Sequence, residues 1–312
     1  MPEKDEIDAA LGTEATVVTP GPKIYHGIPF EEYRLWDAVN SSLLSSVRAK
    51  TPCHAKYERE NPRPSTPAFE FGRLAHLAVL EPKRFADTCR VLPDAAPRRP
   101  SDRQRNAKSP SPASIAAIDW WDAWEADGRE TISEDDWKAI HAMKRSIQRN
   151  QCINYVTGGQ AEVCIAWIDK PTGLLCKARL DYSQQTAWGD AITDLKTTQD
   201  ASEDGFRKSV YFYNYFIQAA FYVDGWKALT GETAAYTWLA VEKAPPYISK
   251  AWEMDDRTLR AGRNAYRLLL DRWAECLKTN TYPAYGDDVE MIGLEQWQLE
   301  REGVGPAQVY AE

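Results

Sequence analysis

At Gly158-Gly159 the apolar residues of this chain change period, and that change limits the fold more than any other feature. Upstream they recur every three or four residues, the spacing of helices with one apolar face. Downstream they alternate, the spacing of strands. Over residues 161–168, Val163, Ile165 and Trp167 share one face. Over 174–182, Leu174, Cys176, Ala178 and Leu180 share one face, and Lys177, Arg179 and Asp181 share the other. Asp169-Lys170-Pro171-Thr172-Gly173 reads as the turn between them, and 191–196 as a third strand. A long helix is expected over about 208–229, stopped by Gly231. Strands follow near 234–242 and 247–253, then a closing helix over about 256–279. No internal repeat is present. The order predicts an α/β chain with a mixed central sheet of about five strands flanked by helices, behind a helical N-terminal half.

The first half divides by composition. Residues 1–22 lack aromatics, hold five acids and one Lys, and end in Pro20-Gly21-Pro22, so a flexible acidic tail is expected there. Residues 23–312 then form one domain. Asn40-Ser41-Ser42 ahead of Leu43, Leu44 and Val47 predicts a helix with a hydroxyl N-cap, stopped at Thr51-Pro52. A second helix is expected over 67–80, closed by Glu81-Pro82. Residues 93–114, rich in Pro, Ser and Arg, read as a long mobile loop before two amphipathic helices near 115–126 and 133–150. The span 93–150 is set apart as a loop and helical insertion beside a core of about 160–280.

Charge argues first one way and then the other. With 38 Lys and Arg against 46 Asp and Glu, the net charge of -8 speaks against a nucleic-acid partner. The acids are concentrated, however. Residues 1–22, 119–136 and 281–312 carry -17 between them, so the other 240 residues are net +9. A basic working surface is compatible with that. No apolar run is long enough to span a membrane and the N-terminus is acidic, so a cytoplasmic location is expected. The six cysteines show no C-x-x-C spacing, against a zinc ribbon or a disulfide framework.

The chemistry concentrates in Asp181 and in Asp194-Leu195-Lys196. Strand side chains alternate, so Asp194 and Lys196 share a face, and Asp181 ends the neighbouring strand. Glu162 lies opposite Val163 and Ile165. Two carboxylates about 5 Å apart repel by roughly 3 kcal/mol at an effective dielectric near 20. A divalent cation removes that penalty, and oxygen ligands favour Mg²⁺ or Mn²⁺ over zinc. A Lys beside the cation can position or deprotonate a water and stabilise charge on a phosphate. Two companions support the set. Gln218 and Tyr222 are four apart on the helix after the third strand, and Gly72-Arg73-Leu74-Ala75-His76 places a Gly and a His in an apolar helix.

The ordered set G-R-L-x-H, E, D, D-x-K and Q-x-x-x-Y resembles the PD-(D/E)xK nuclease superfamily, and within it the RecB-like branch. Tyr25-His26-Gly27-Ile28-Pro29, Asn40-Ser41-Ser42-Leu43-Leu44 and Thr51-Pro52 narrow the resemblance to the catalytic domain of the phage and prophage exonuclease VIII (RecE-type) group, over about 24–285. The resemblance implies that His76, Glu162, Asp181 and Asp194 bind one or two Mg²⁺ or Mn²⁺ ions, with the Leu195 carbonyl as an extra ligand. Lys196 would be the catalytic Lys, and Gln218 and Tyr222 would brace the site and orient DNA. It further implies 5′ to 3′ digestion of linear double-stranded DNA leaving a 3′ overhang for recombination. A closed homo-oligomeric ring, a trimer or tetramer, and a single-strand annealing partner go with it. Only Cys276 follows the core strands, so the iron–sulfur cluster of some RecB-like nucleases is not expected.

Further candidates carry two readings each. Ser41, Ser42, Ser45, Arg48 and Arg73 suit a phosphate pocket, while the serines also suit plain capping. Arg179 suits a phosphate contact or a salt bridge to Glu162. The basic residues near 98–108 suit a nonspecific DNA grip or a solvated loop. Trp120, Trp121 and Trp124 suit burial against the core or a subunit neighbour, or base stacking, with burial favoured. The alternatives in function are a PD-(D/E)xK endonuclease, a Cas4-like nuclease, and an inactive DNA-binding recombination module.

Overall fold

The computed structural model describes residues 18–305, apart from 63 and 287. Most of the expected acidic tail lies outside these residues. Its last part is paired, not free: the Val18 amide donates to the Leu35 carbonyl at 3.2 Å, and the Asp37 amide donates to Val18 at 2.9 Å.

Eight strands are present among the described residues: β1 (Lys23–Tyr25), β2 (Cys89–Val91), β3 (Glu130–Ile132), β4 (Gln160–Ile168), β5 (Leu175–Thr186), β6 (Gly189–Thr198), β7 (Ala235–Glu242) and β8 (Ser249–Glu253). Six form the central sheet in the order β1-β4-β5-β6-β7-β8, and β2 pairs with β3 separately. The sheet is mixed because β6 and β7 run parallel while the other neighbours are antiparallel. A parallel pair needs a crossover. The helices Glu203–Phe212 and Tyr215–Thr230 supply it. The sixth strand is β1, whose three residues pair with β4 and are too few to show a period in sequence.

Helices cover both faces. On one, Val163, Ile165, Leu180 and Ile192 pack against Ile217 and Phe221 of the crossover and Leu270 and Trp273 of the helix Asp256–Thr279. On the other, Leu195, Leu239 and Val241 pack against Leu74 and Ala78 of the helix Pro67–Leu80 and against Ile140 and Met143 of the helix Glu134–Gln148. Each fully buried side chain of this size contributes about 1.5–3 kcal/mol.

Three local expectations change. The long helix expected over 208–229 is two helices, broken where Asn214 adopts φ 60°, a left-handed conformation that Asn tolerates. The cap of the helix Ser41–Ala49 is the Asn40 side-chain amide oxygen, not a hydroxyl: it accepts from the Leu43 amide at 2.9 Å. The 93–114 segment is strapped down rather than loose. It holds a short helix, Asp102–Arg105, and its arginines reach the helix Pro112–Glu125. Arg105 pairs with Asp122 at 2.7 Å, Arg99 with Glu125, and the Trp121 indole donates to the Pro97 carbonyl at 2.9 Å. Arg99 and Arg105 of this stretch are thus held in ion pairs with that helix. The six cysteines are free, and five of them are buried. Among the described residues no helix is long and apolar enough to cross a membrane.

Candidate active site

The candidate site lies where β4, β5 and β6 lose their regular pairing. The β4–β5 register pairs Ala161 with Tyr182 and Val163 with Leu180, stepping over Glu162 and Asp181. Glu162 takes φ 57°, a costly conformation for a residue with a side chain. The β5–β6 register ends at Tyr182 with Thr193. Beyond it the Asp181 carboxylate stands in for the missing strand partner, and Oδ2 accepts from the Leu195 amide at 2.8 Å. Splitting the strands is what lets acidic side chains converge from three of them.

Each named side chain has an identifiable support. His76, on the helix Pro67–Leu80, places Nδ1 3.4 Å from Asp181 Oδ2. Asp194 and Lys196 project to one face, as their spacing requires. Lys196 Nζ lies 2.7 Å from Asp194 Oδ2 and donates to Gln218 Oε1 at 3.0 Å. Gln218 Nε2 donates to the Tyr222 hydroxyl at 3.1 Å, and Ser41 Oγ reaches the same hydroxyl at 3.5 Å. The Tyr215 ring lies under the ammonium, 4.6 Å from Nζ. Tyr215, Gln218 and Tyr222 are spaced i, i+3, i+7 on one helix. That spacing was available in sequence, but only the last two stood out there.

The electrostatics are those of crowded acids. Burial, then the charge of Asp194, raises Asp181 to about 7. Burial, then Asp181, raises Glu162. Burial, then Lys196, lowers His76, so its ring is neutral near pH 7. Burial alone would lower Lys196, but Asp194 and Asp181 outweigh it and hold the ammonium protonated.

Two of the expected contacts with DNA are already occupied. Arg179 is 11% exposed and gives its guanidinium to Glu162, the Ile28 carbonyl and Cys164. In this structure it is the partner of Glu162, through Nε. Arg73 is held by Glu70 at 2.7 Å and by Glu130. Ser42 and Arg48 remain exposed. A Cβ at Gly72 would meet Thr197 Oγ1 at 3.7 Å, an ordinary contact, so close packing does not demand this Gly. A Lys that sequence left unexplained, Lys177, is buried and donates to the carbonyls of Tyr33, Arg34 and Trp36.

The donors fit a hard divalent cation. Asp194 Oδ2 is buried and, apart from the Lys196 ammonium 2.7 Å away, has no hydrogen-bond partner, so it is open to a cation. Asp181, Asp194, Glu162 and the His76 ring are the groups able to share an ion, with the Leu195 carbonyl beside them. Among the described residues no three of these groups already stand at coordination spacing, since Glu162 is turned onto Arg179 and Asp181 onto Leu195. A raised carboxylate is a stability penalty once it ionises. In EDTA, stability should therefore fall as pH rises from about 4 to about 7, the window between the ordinary and the raised value of Asp181. Asp181→Asn should have a shallower slope, keeping the part that the raised Glu162 contributes, and Mg²⁺ or Mn²⁺ at pH 7 should raise the melting temperature of wild type but not of the variant. Urea denaturation across pH and thermal melts check this. Equal slopes in the two proteins would sink it.

Comparison with known proteins follows the same lines. Residues 41–295 match the family described as PDDEXK-like domain of unknown function (DUF3799). A crystal structure described as "Putative exonuclease" from Eubacterium rectale superposes with a TM-score of 0.55 at 13% identity. The match covers 88% of this chain and 98% of that one, and at this identity it shows a shared fold. No curated protein sequence matches the chain.

Proposed function

The chain belongs to the PDDEXK-like family just described, and from that premise we propose that it is a divalent-metal-dependent deoxyribonuclease, an exonuclease digesting linear double-stranded DNA 5′ to 3′. The observation that carries the reading is the Lys196 ammonium, held between Asp194 and Gln218 beside Asp181. When bound, Mg²⁺ or Mn²⁺ would activate water and neutralise charge on the phosphate. Asp181, Asp194, Glu162 and His76, with the Leu195 carbonyl, would hold it.

The chain's own groups divide the remaining work. An ammonium kept protonated donates rather than abstracts. Lys196 therefore positions the water and stabilises negative charge as the phosphate is attacked, instead of serving as the base. Gln218, fixed by Tyr222, aims that ammonium. Arg179 keeps Glu162 ionisable despite its burial. A closed ring of three or four copies and a single-strand annealing partner belong to the same proposal, and the mass of the intact assembly checks the ring.

Linear, nicked circular and closed circular duplexes, incubated with Mg²⁺ or Mn²⁺, test the activity. Linear DNA should be degraded and closed circles left intact, with a 5′ label released as short products before a 3′ label. Cleavage of closed circles would make the protein an endonuclease. Early release of the 3′ label would reverse the polarity. Absence of any divalent-dependent hydrolysis would favour an inactive DNA-binding module.

A further inference from the structure

We propose that Tyr211, Phe212 and Tyr213 form a stacking ledge that holds unpaired bases of the strand being cut. The proposal rests on the nuclease reading and adds to it a binding site for unpaired nucleotides on exposed rings next to the Lys196 cluster.

The ledge is unusual in its exposure. Tyr211, Phe212 and Tyr213 are 68%, 77% and 59% exposed. Three consecutive positions on an unbroken amphipathic helix rarely all face solvent, because one apolar stripe turns toward the core. Here the run sits at the end of the helix Glu203–Phe212, where Asn214 turns the chain into the next helix.

Its placement points to the catalytic Lys. The Tyr213 ring stacks on Tyr215, with centroids 5.6 Å apart and planes at 29°. Tyr215 in turn lies 4.6 Å from Lys196 Nζ. Phe212 meets Tyr213 edge-on at 5.1 Å. At the other side Tyr211 stacks on Phe216, and the Arg48 guanidinium lies 5.7 Å and 5.2 Å from these two rings. The exposed rings therefore begin two ring contacts from Lys196 and end beside a cation. The acids of this helix, Glu203 and Asp204, are engaged with Arg207, which leaves Lys208 exposed on the same helix.

Aromatic faces next to a cation are the chemistry that binds single-stranded nucleic acid, with bases on the rings and the backbone on the cation. Duplex DNA cannot use such a ledge away from its ends, because its base faces are already stacked on one another. The Arg48 guanidinium beside Tyr211 and Phe216 and the exposed Lys208 suit a polyanion, which argues for DNA as the occupant.

Fluorescence anisotropy in EDTA tests this without cleavage. The probes are a labelled oligonucleotide of about 20 unpaired nucleotides and a relaxed, covalently closed duplex minicircle, which has neither ends nor loops. The variant combines Tyr211→Ser, Phe212→Ser and Tyr213→Ser, with unfolding by urea to show that it folds. It should bind the unpaired probe at least about ten-fold more weakly and the closed duplex within about two-fold of wild type. Replacement of all three by Trp should restore the affinity, which loss of a mere surface contact would not predict. Should the triple variant fail to fold, Phe212→Ser alone should weaken the unpaired probe about three-fold. Unchanged affinity for the unpaired probe, or equal loss for both probes, overturns the ledge. So does a smaller assembly by native mass with affinity intact, which would mark the rings as a subunit contact. Because nothing is cut in EDTA, failure of wild type to hydrolyse DNA would defeat the nuclease reading and leave this measurement standing.

Discussion

Lys196→Ala should reduce divalent-dependent DNA hydrolysis about a thousand-fold, the scale on which a single preorganised charge at a transition state acts. Binding of DNA should change far less. The same substitution should also reveal the site as a charge cluster. Asp194 is 2% exposed and has the Lys196 ammonium 2.7 Å away. Removing one partner of a buried pair leaves the other uncompensated and costs about 3–5 kcal/mol. That cost should appear in EDTA as a lowered melting temperature. It should shrink when Mg²⁺ or Mn²⁺ is added, because the cation takes over neutralisation of Asp194 and Asp181. Lys196→Met, of similar length, should behave the same way, which separates charge from volume. Single-turnover rates and melting temperatures with and without the cation are the measurements. Wild-type rates in the Ala variant would show that the catalytic assignment is wrong, and a stability loss indifferent to the cation would show that no ion binds beside Asp194.

Sequence disclosed the architecture where one residue type or one period decides it. The alternation through β4, β5 and β6 and the spacing of Asp194 and Lys196 depend only on neighbours along the chain. The six-stranded sheet, the break at Asn214 and the partners of the arginines depend on residues far away. The pairing of Arg179 with Glu162, Ile28 and Cys164 joins residues 15 to 151 positions apart, which no local pattern can show. The acidic stretch 119–136 is a similar case. Its Asp122, Glu125, Asp127 and Glu130 meet Arg105, Arg99, Arg90 and Arg73, so half of its eight acids form a clasp within the chain. The net charge of -8 therefore says little about DNA. The placement of a few carboxylates beside one Lys says more.

Gly262→Ala and Gly72→Ala should change stability in opposite directions, although both put Ala into a helix. Helix propensity favours Ala over Gly by about 1 kcal/mol at either site. At Gly72 the new methyl would meet only Thr197 Oγ1 at 3.7 Å, so that gain should be realised. At Gly262, on the helix Asp256–Thr279, it would lie 2.2 Å from the Phe216 carbonyl oxygen and 2.7 Å from Ala220 Cβ. Neither neighbour can swing aside, because one is backbone and the other is the first atom of its side chain. The two helices must move apart. They are also tied by Arg263, which grips Asp224 at 2.6 and 2.9 Å, and by the Tyr266 hydroxyl, which donates to Asp224 at 2.7 Å. Overpacking of this kind costs about 1–3 kcal/mol, and here it adds to the strain on those bonds. A net loss of about 2 kcal/mol is expected by urea unfolding. The displaced helix carries Gln218 and Tyr222, so hydrolysis should slow as well, through misplacement of the Lys196 ammonium rather than loss of any group that meets DNA. A Gly262→Ala protein as stable and as fast as wild type would mean that the crossover helix does not set the position of Gln218.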